Sequence, residues 1–401
     1  MLQQRPLSTK GEGCDSSHES FMQRALQLAA QGEGYTSPNP AVGAVVVREG
    51  CIVGEGYHRH AGAPHAEVEA LIQAGEAARG AAMYVTLEPC NHHGRTPPCT
   101  EAITRAGIAT VFYAVADPNP RVCGRGHQRL QEAGVAVHAG LCGEAAYYLN
   151  RFFFHHITTG QPYIIAKFAA SLDGKIATRT GESRWITGTL ARQQGHRLRH
   201  QCDAIAVGAG TALADNPSLT TRLPDLHRPQ HPVRVLLDSR GRVPLGAHLF
   251  DPDLPGQTLV ATTEAMPCLH RAALAGRGIE VVEMPATDTG QVDISALMQE
   301  LGRRNLTSLL VEGGGTLLAS FLGAGAVQEV WAFLAPLLIG GDAAPGPVRG
   351  LGSVALADAL RLHNTQVEVI GDDILVRGQT QLPSTWAMPV TWQAAHSLEG
   401  E

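Results

Sequence analysis

The chain has 401 residues, more than a single hydrophobic core sustains, so two domains are expected. Hydrophobic residues at 44% and charged residues at 17% exclude a disordered chain, and a formal net charge of −6 offers no basic footprint for bulk nucleic acid or an anionic membrane. The longest apolar run, VWAFLAPLLIG, is too short to span a bilayer, the polar start carries no signal-peptide core, and eight scattered cysteines point to reduced thiols, so a cytoplasmic protein is expected.

Residues 1–16 read as an extension. Ser16 and Glu19 then have capping-box spacing, and Phe21, Ala25, Leu26 and Ala29 follow at helical intervals up to Gly32. AVGAVVV and CIVGEGY, separated by REG, predict a hairpin of two buried strands. A helix is expected in PHAEVEALIQAG, with Pro64 at its entry. Next come strand AMYVTLEPC, helix TEAITRAG, strand ATVFYAV, helix GHQRLQEAG, strand VAVHAG and helix GEAAYYLNRFFFHH. Such alternation predicts an α/β layered domain over 17–159 with a largely parallel sheet.

A boundary is expected near ITTGQP, and a second α/β domain over 160–380. Its expected strands are YIIAKFAAS, AIAVG, VRVLLDS, TLVATT, EVVEM and SLLVEGG, with LARQQGHRLRHQ and ISALMQELGRR as amphipathic helices. VQEVWAFLAP and QVEVIGDDILVRGQ read as strands in a hairpin-like pairing. Residues 381–401, with Trp386 and Trp392, show no periodicity and read as a tail.

Chemistry concentrates in the first domain. His65 and Glu67 form H-x-E at a helix start, and Cys90 and Cys99 follow after Pro89. One imidazole and two thiolates leave a tetrahedral zinc one position short, which is the mark of a catalytic rather than a structural site. Glu67 then shuttles protons beside the activated water instead of ligating. The order H-x-E, then P-C-x-x-C, is the general signature of zinc deaminases acting on nucleobases. The longer Cys90-to-Cys99 spacing departs from it, and NHHGRTPP must be an excursion whose ends return to adjacent positions. Residues two apart point to different helix faces, so His65 and Glu67 share a metal only if His65 sits at the irregular first turn. A closed structural zinc, with His92 or His93 as fourth ligand, is the alternative, and it has no use for Glu67.

These segments resemble a known family, the bifunctional riboflavin-biosynthesis deaminase/reductase. The resemblance is carried by PNPAVGAVVV, GEGYHRHAGAPHAEVEAL, YVTLEPCNHHGRTPPCTEAI and DPNP, and in the second half by KFAASLDGKIA, GESRWITG, ADNPSLTTR and VEGGGTLLASFL. It covers about residues 17 to 380, and the long excursion between the cysteines is itself a family trait. It implies a cytidine-deaminase-like three-layer domain followed by a dihydrofolate-reductase-like α/β domain. It also implies one Zn2+ per chain and NADPH as cofactor. The expected reactions are hydrolytic deamination of 2,5-diamino-6-ribosylamino-4(3H)-pyrimidinone 5′-phosphate and then reduction of its ribosyl chain to ribityl. A small phosphorylated pyrimidine is therefore the expected partner, with a homo-oligomer and without nucleic acid or membrane.

In the first domain Asn39 can offer a donor and an acceptor to a pyrimidine edge, and Arg95 a bidentate clamp to the phosphate; a turn residue and a solvated loop charge are the bland alternatives. The second domain has no G-x-G-x-x-G. SLLVEGGGTLLASFL instead runs from an apolar strand through three glycines into a helix, where backbone amides favour anions; a tight strand-to-helix turn explains the glycines almost as well. Carried over by motif, the resemblance implies cofactor contacts at Ala169, Trp185, Thr211, Asp215, Ser239, Gly314, Gly315, Thr316, Leu317, Leu318, Ala319 and Ser320. It implies substrate contacts at Ser183, Arg199, Leu219, Arg222 and Glu312, with Glu312 orienting or protonating the substrate or merely capping the glycine turn. Asp173 reads as a turn residue by its Asp-Gly pair. A nucleic-acid base deaminase with an appended nucleotide-binding domain is the rival, disfavoured by the acidic charge; a non-catalytic nucleotide sensor would keep the glycines but tolerate loss of Glu67.

Overall fold

The computed structural model describes residues 17–92, 97–119 and 122–381. His93 and Arg95, the extension 1–16 and the tail beyond 381, with Trp386 and Trp392, lie outside the described residues. Contacts divide the chain into two compact units, the first ending at Asn150 and the second running from Arg151, with Ser37–Pro40 grouped with the second.

The first unit runs α1 (His18–Ala30), β1 (Gly43–Arg48), β2 (Cys51–Tyr57), α2 (Ala66–Ala74), β3 (Ala82–Val85), α3 (Cys99–Ala106), β4 (Thr110–Tyr113), α4 (Arg125–Glu132), β5 (Ala136–Ala139) and α5 (Gly143–Leu149). Its sheet has the order β2-β1-β3-β4-β5. The β1 pairings with β2 and β3 are antiparallel, whereas β3, β4 and β5 are parallel. Strand alternation sorts the side chains onto two faces. Ala44, Val46, Met83, Val85, Val111 and Tyr113 join Ala66, Ala70, Ala74, Ile103 and Leu130 of the helices in one core. On the opposite face Tyr84, Phe112 and His138 stand in register across β3, β4 and β5, with ring centroids 4.8 Å apart at each step. Helix α1 covers this ladder, Phe21 lying 5.2 Å from Tyr84 and His18 4.5 Å from Phe112.

Three expectations change here. The helix-capping residue is Ser17, whose side chain accepts from the amide of Ser20, one residue later than the expected Ser16–Glu19 box. Strand β2 is an edge strand rather than a buried one, and its only fully buried residues are Gly54 and Gly56. A Cβ on Gly54 would stand 2.2 Å from the carbonyl oxygen of Ala70, and one on Gly56 2.5 Å from that of Ala66. Helix α2 therefore lies directly on the backbone of β2, which only glycine permits. The expected helix GEAAYYLNRFFFHH is two, broken at Asn150. Asn150 Oδ1 accepts from the Ala41 amide at 2.7 Å and Nδ2 donates to the Ala41 carbonyl at 2.9 Å, a side chain standing in for a backbone pair.

The second unit runs α6 (Arg151–Thr159), β6 (Tyr163–Ser171), α7 (Thr189–Gln201), β7 (Ala204–Gly208), α8 (Ala209–Asp215), β8 (Val233–Leu237), β9 (Thr258–Thr262), α9 (Cys268–Ala275), β10 (Glu280–Glu283), α10 (Ile294–Arg303), β11 (Ser308–Val311), α11 (Gly315–Gly323), β12 (Glu329–Ala335), β13 (His363–Ile370) and β14 (Asp373–Gln379). Every strand expected from the pattern is present; the short helices α8 and α9 were not anticipated. The sheet order is β10-β9-β8-β7-β11-β6-β12-β14-β13, parallel from β10 to β12 and antiparallel thereafter. Separate apolar cores fill its two faces, Ile165 and Leu310 contributing to one and Ile164 and Leu309 to the other.

Helix α6 belongs with this unit, earlier in the chain than the boundary expected at 159/160, and buried chemistry explains why. Arg151, 5% exposed, donates through Nε to Glu329 Oε2 on β12 at 3.1 Å, and Glu329 is 2% exposed. Tyr163 Oη donates to the same oxygen at 3.2 Å and Trp331 Nε1 to Oε1 at 2.7 Å. A buried charge persists only when so paired and hydrogen-bonded.

Candidate active sites

His65 is the N-cap of α2, with an extended backbone (φ −73°, ψ 156°), and Glu67 lies in the first turn. That resolves the expected conflict of faces, because His65 precedes the helical register. Cys90 follows β3 and Cys99 opens α3. His65 Nδ1 is 3.1 Å from Cys99 Sγ and 3.6 Å from Cys90 Sγ, and the three ligand atoms lie within 4.8 Å of one another. The ends of the excursion are stitched together: the Cys99 amide donates to Cys90 Sγ at 3.4 Å, the Thr100 amide to the Cys90 carbonyl at 3.2 Å, and Thr100 Oγ1 to Asn91 Oδ1 at 2.8 Å.

The cluster holds negative charge in a buried place. A hydrogen bond from Cys99, with further help from His65, brings the Cys90 thiol down to about 4. The same bond to Cys90, with burial, drives Cys99 upward. His65 rises to about 9, first through its hydrogen bond to Cys90. Two sulfurs and one imidazole nitrogen converging at this range fit a tetrahedral zinc that retains one open position. Glu67, 4% exposed, is pushed above the usual carboxylate range by burial and then by the Cys90 charge. A carboxyl so shifted can both take and return a proton near neutrality.

Two neighbours were missed by the sequence reading. His58, 4% exposed, sets its Nδ1 3.1 Å from the Pro64 carbonyl and its ring centroid 5.7 Å from that of His65, and burial lowers its pKa. Glu88, 3% exposed, accepts from the amides of Gly124, Gly126, His127 and Asp117 at 3.1, 3.1, 3.2 and 3.4 Å, pinning that segment next to Pro89 and Cys90. An acid inside the apolar run VTLEP was the available signal, because such a residue must find partners. Asn39 is exposed in Ser37–Pro40, a segment whose contacts group it with the second unit.

In the second unit Glu312 ends β11. Arg199 on α7 grips it with Nε to Oε1 at 3.0 Å and Nη2 to Oε2 at 2.7 Å, while Nη1 donates to the Thr220 carbonyl. Lys167, from the middle of β6, places Nζ 3.8 Å from Glu312 Oε2. Burial raises the Glu312 pKa, but the Arg199 and Lys167 charges outweigh it and hold the group at about 2. Glu312 is thus a fixed carboxylate at neutral pH, suited to orienting a substrate and not to protonating one. His196 beside it is lowered to about 4 by burial and then by Arg199 and Arg222. Lys167 and His196 were missed; a lysine within the apolar strand YIIAKFAAS was the signal. Arg222 is exposed, and Ser183 lies half-buried between β6 and α7. Leu219 has φ +54° and is 4% exposed, packed in the core.

The glycine turn is built by Thr211 of α8, whose Oγ1 accepts from the Gly314 amide at 2.7 Å. The amides of Gly315 and Thr316 then stand at the start of α11, where an anion fits. Gly315 is required by packing, because a Cβ there would come within 2.9 Å of the Gly346 carbonyl. A cavity of about 460 Å³ opens at the carboxyl ends of β7 and β8 and the first turns of α11; Ser239, Thr316, Leu317 and Ser320 line it, together with Gly208, Ala209 and Gly210. Of the other expected cofactor residues, Ala169 lies half-buried on β6 and Ala319 half-buried on α11, while Leu318 is 1% exposed in the core. Trp185 is 67% exposed with the Arg192 guanidinium 4.5 Å above its ring, and the Asp215 carbonyl accepts from Arg184. Asp173 is more than a turn residue, since it accepts from Ser171 Oγ and from the amides of Ile339 and Gly340; these bonds, Ser171 first, hold it at about 2.

No described helix is long and apolar enough to cross a membrane, and the seven described cysteines are free thiols. The cytidine and deoxycytidylate deaminase zinc-binding region matches residues 15–115, and the RibD C-terminal domain matches residues 162–376. Riboflavin biosynthesis protein RibD of Bacillus amyloliquefaciens is 45% identical over 356 residues, covering 89% of this chain and 94% of that protein. Its counterpart in Escherichia coli (strain K12) is 43% identical over 370 residues, covering 89% and 97%. The solved structure of Acinetobacter baumannii RibD, form 1, superposes with a TM-score of 0.80 at 39% identity, covering 90% of this chain and 99% of that one. That of the Thermotoga maritima diaminohydroxyphosphoribosylaminopyrimidine deaminase/5-amino-6-(5-phosphoribosylamino)uracil reductase gives 0.78 at 36%, covering 90% and 98%. With a cytidine-deaminase-like unit followed by a dihydrofolate-reductase-like one, this chain belongs to the RibD family, the bifunctional deaminase/reductases of riboflavin biosynthesis.

Proposed function

We propose that the first unit hydrolyses 2,5-diamino-6-ribosylamino-4(3H)-pyrimidinone 5′-phosphate to 5-amino-6-(5-phosphoribosylamino)uracil and ammonia, and that the second reduces the ribosyl chain to ribityl with NADPH. The observation that carries the reading is a buried Glu67 beside the His65–Cys90–Cys99 cluster. Those three residues would hold one Zn2+ per chain, and the ion would supply the Lewis acidity that makes water a nucleophile near neutral pH. The Glu67 carboxylate takes a proton from the attacking water and gives it to the departing amine, so water enters and ammonia leaves with no net proton change. Asn39 meets the pyrimidine edge and Arg95 the phosphate.

In the second unit the cofactor supplies the hydride, and the protein supplies position and charge. Ala169, Trp185, Thr211, Asp215, Ser239 and the segment 314–320 hold the dinucleotide; Ser183, Arg199, Leu219, Arg222 and Glu312 hold the sugar phosphate. Because Arg199 is committed to Glu312, the exposed Arg222 is the arginine that meets the phosphate.

The test supplies the diamino-pyrimidine phosphate with and without NADPH and follows ammonia and cofactor oxidation separately. Ammonia is released without NADPH, and oxidation starts when NADPH is added. A zinc chelator stops ammonia release but spares reduction of pre-deaminated substrate. No ammonia from a zinc-loaded sample would sink the deaminase assignment.

We further infer a cytoplasmic homo-oligomer. Strand β13 ends the sheet with Val367 and Val369 67% and 73% exposed, and Leu351, Val354 and Leu356 in the preceding loop are 90% exposed or more. An exposed apolar edge of this kind calls for a partner, and a second copy supplies one by symmetry. Light scattering at micromolar concentration gives at least twice the 42.4 kDa chain mass; a monomer at all concentrations removes the inference.

A further inference from the structure

We infer that the loop presenting Arg222 to the substrate phosphate is fastened to the rest of the second unit by histidine rings acting as hydrogen-bond acceptors, so that His196 is a positioning residue for Arg222 and ties substrate binding to pH. The inference rests on the reading above that Arg222 meets the phosphate.

Residues 216–232 join α8 to β8 without a helix or strand of their own. Leu219 and Leu223 anchor the segment inward, 4% and 7% exposed, while Arg222 beside them is exposed. Amides that belong to no ladder must find other acceptors. Here imidazoles supply them. The Arg222 amide donates to His196 Nδ1 at 3.3 Å, the Thr221 amide to His231 Nδ1 at 3.3 Å and the Gln230 amide to His200 Nδ1 at 3.1 Å. His196 and His200 stand four residues apart on α7 and so share a face, and His231 lies just before β8. Arg199, between the two on α7, donates from Nη1 to the Thr220 carbonyl at 3.1 Å. The loop is thus gripped by its backbone from 220 to 222, and the Arg222 side chain is not part of the grip.

A backbone N–H can only donate, so each of the three Nδ1 atoms offers a lone pair and each ring is neutral, with its proton on Nε2. Protonating a ring sets one N–H against another and leaves the amide without its acceptor. The surroundings favour the neutral rings. Burial first, then the Arg199 and Arg222 charges, bring His196 down to about 4; Lys167, whose Nζ is 3.7 Å from where a Cβ on Gly195 would stand, adds to this, and Glu312 opposes it. Burial also lowers His200, with Asp225 opposing and His231 adding, and it lowers His231, with Arg234 adding. A released loop would let these histidines titrate near their ordinary ~6.5, so the held loop binds fewer protons. The grip is therefore complete above that value and weakens as pH falls, for His196 by up to about tenfold per unit until its own pKa is reached. Glu312, held at about 2, keeps its charge throughout this range.

The test uses the full chain and measures kcat and KM for pre-deaminated substrate at saturating NADPH, from pH 7.5 to pH 5, for the wild type, His196→Ala, His196→Asn and Arg222→Gln. At pH 7.5 His196→Ala raises KM by roughly 2- to 10-fold, the range of one hydrogen bond, and leaves kcat within about twofold. The Asn side-chain oxygen accepts as Nδ1 does and takes no proton in this range, so His196→Asn recovers the loss. Towards pH 5 the wild-type KM then climbs to about fivefold or more above that of the Asn variant. The phosphate of the substrate titrates equally with both proteins and cancels in that ratio. A ratio that stays flat from pH 7.5 to pH 5, an Ala variant with the wild-type KM, or a loss confined to kcat overturns the inference. If the Ala variant does not fold, the ratio to the Asn variant decides alone. Arg222→Gln raises KM whatever His196 does; a wild-type KM in that variant removes the phosphate reading, and the inference with it.

Discussion

Glu67→Gln stops ammonia release, lowering its rate by roughly 10²–10⁴-fold, the range that a positioned proton carrier contributes. The amide keeps the shape of the side chain and loses only the ability to take a proton. Zinc content, measured by atomic absorption, stays at the wild-type level, because His65, Cys90 and Cys99 are untouched. Reduction of pre-deaminated substrate proceeds at the wild-type rate. A variant that still releases ammonia would show that Glu67 carries no proton in the reaction. A variant that loses zinc together with activity would show a ligand or packing role instead. Burial already places Glu67 above the ordinary carboxylate range, so the side chain is poised for transfer rather than for permanent charge.

Glu329→Ala removes the acid that compensates Arg151 in the second unit, and the expected loss of stability is ~3–5 kcal/mol. Arg151 is 5% exposed, and Tyr163 and Trp331 lose this acceptor in the same stroke. Denaturant unfolding followed by tryptophan fluorescence suits the measurement, since Trp331 sits on the lost oxygen. Replacing both partners by apolar residues of similar volume, Arg151→Met with Glu329→Met, recovers most of the loss, because a buried pair offsets its own desolvation only narrowly. If the single substitution costs under ~1 kcal/mol, the pair is exchanging with water and the burial seen here is not its working state.

Much of this was legible from the chain alone where the chemistry is local. His65, Glu67, Cys90 and Cys99 stand in the order of the general zinc-deaminase signature, and the structure gathers the three ligands within 4.8 Å. The alternating elements were legible because each strand and helix carries its own period. What escaped was assembled at long range. Lys167 meets Glu312 because β6 and β11 are neighbours in the sheet, a pairing that no window of sequence contains. Helix α5 ends at Asn150 because its amide clasps Ala41, more than a hundred residues earlier. Strand β2 looked buried because its burial is real but belongs to its glycines.

Those two glycines decide which substitutions the first unit can accept. Gly54 and Gly56 let α2 rest on backbone alone, so the metal-binding end of that helix is registered against the sheet with no intervening side chain to absorb an error. The exposed side chains of β2 can be exchanged without touching α2, whereas any side chain at position 54 or 56 would push the helix, and the ligand at its start, off the sheet.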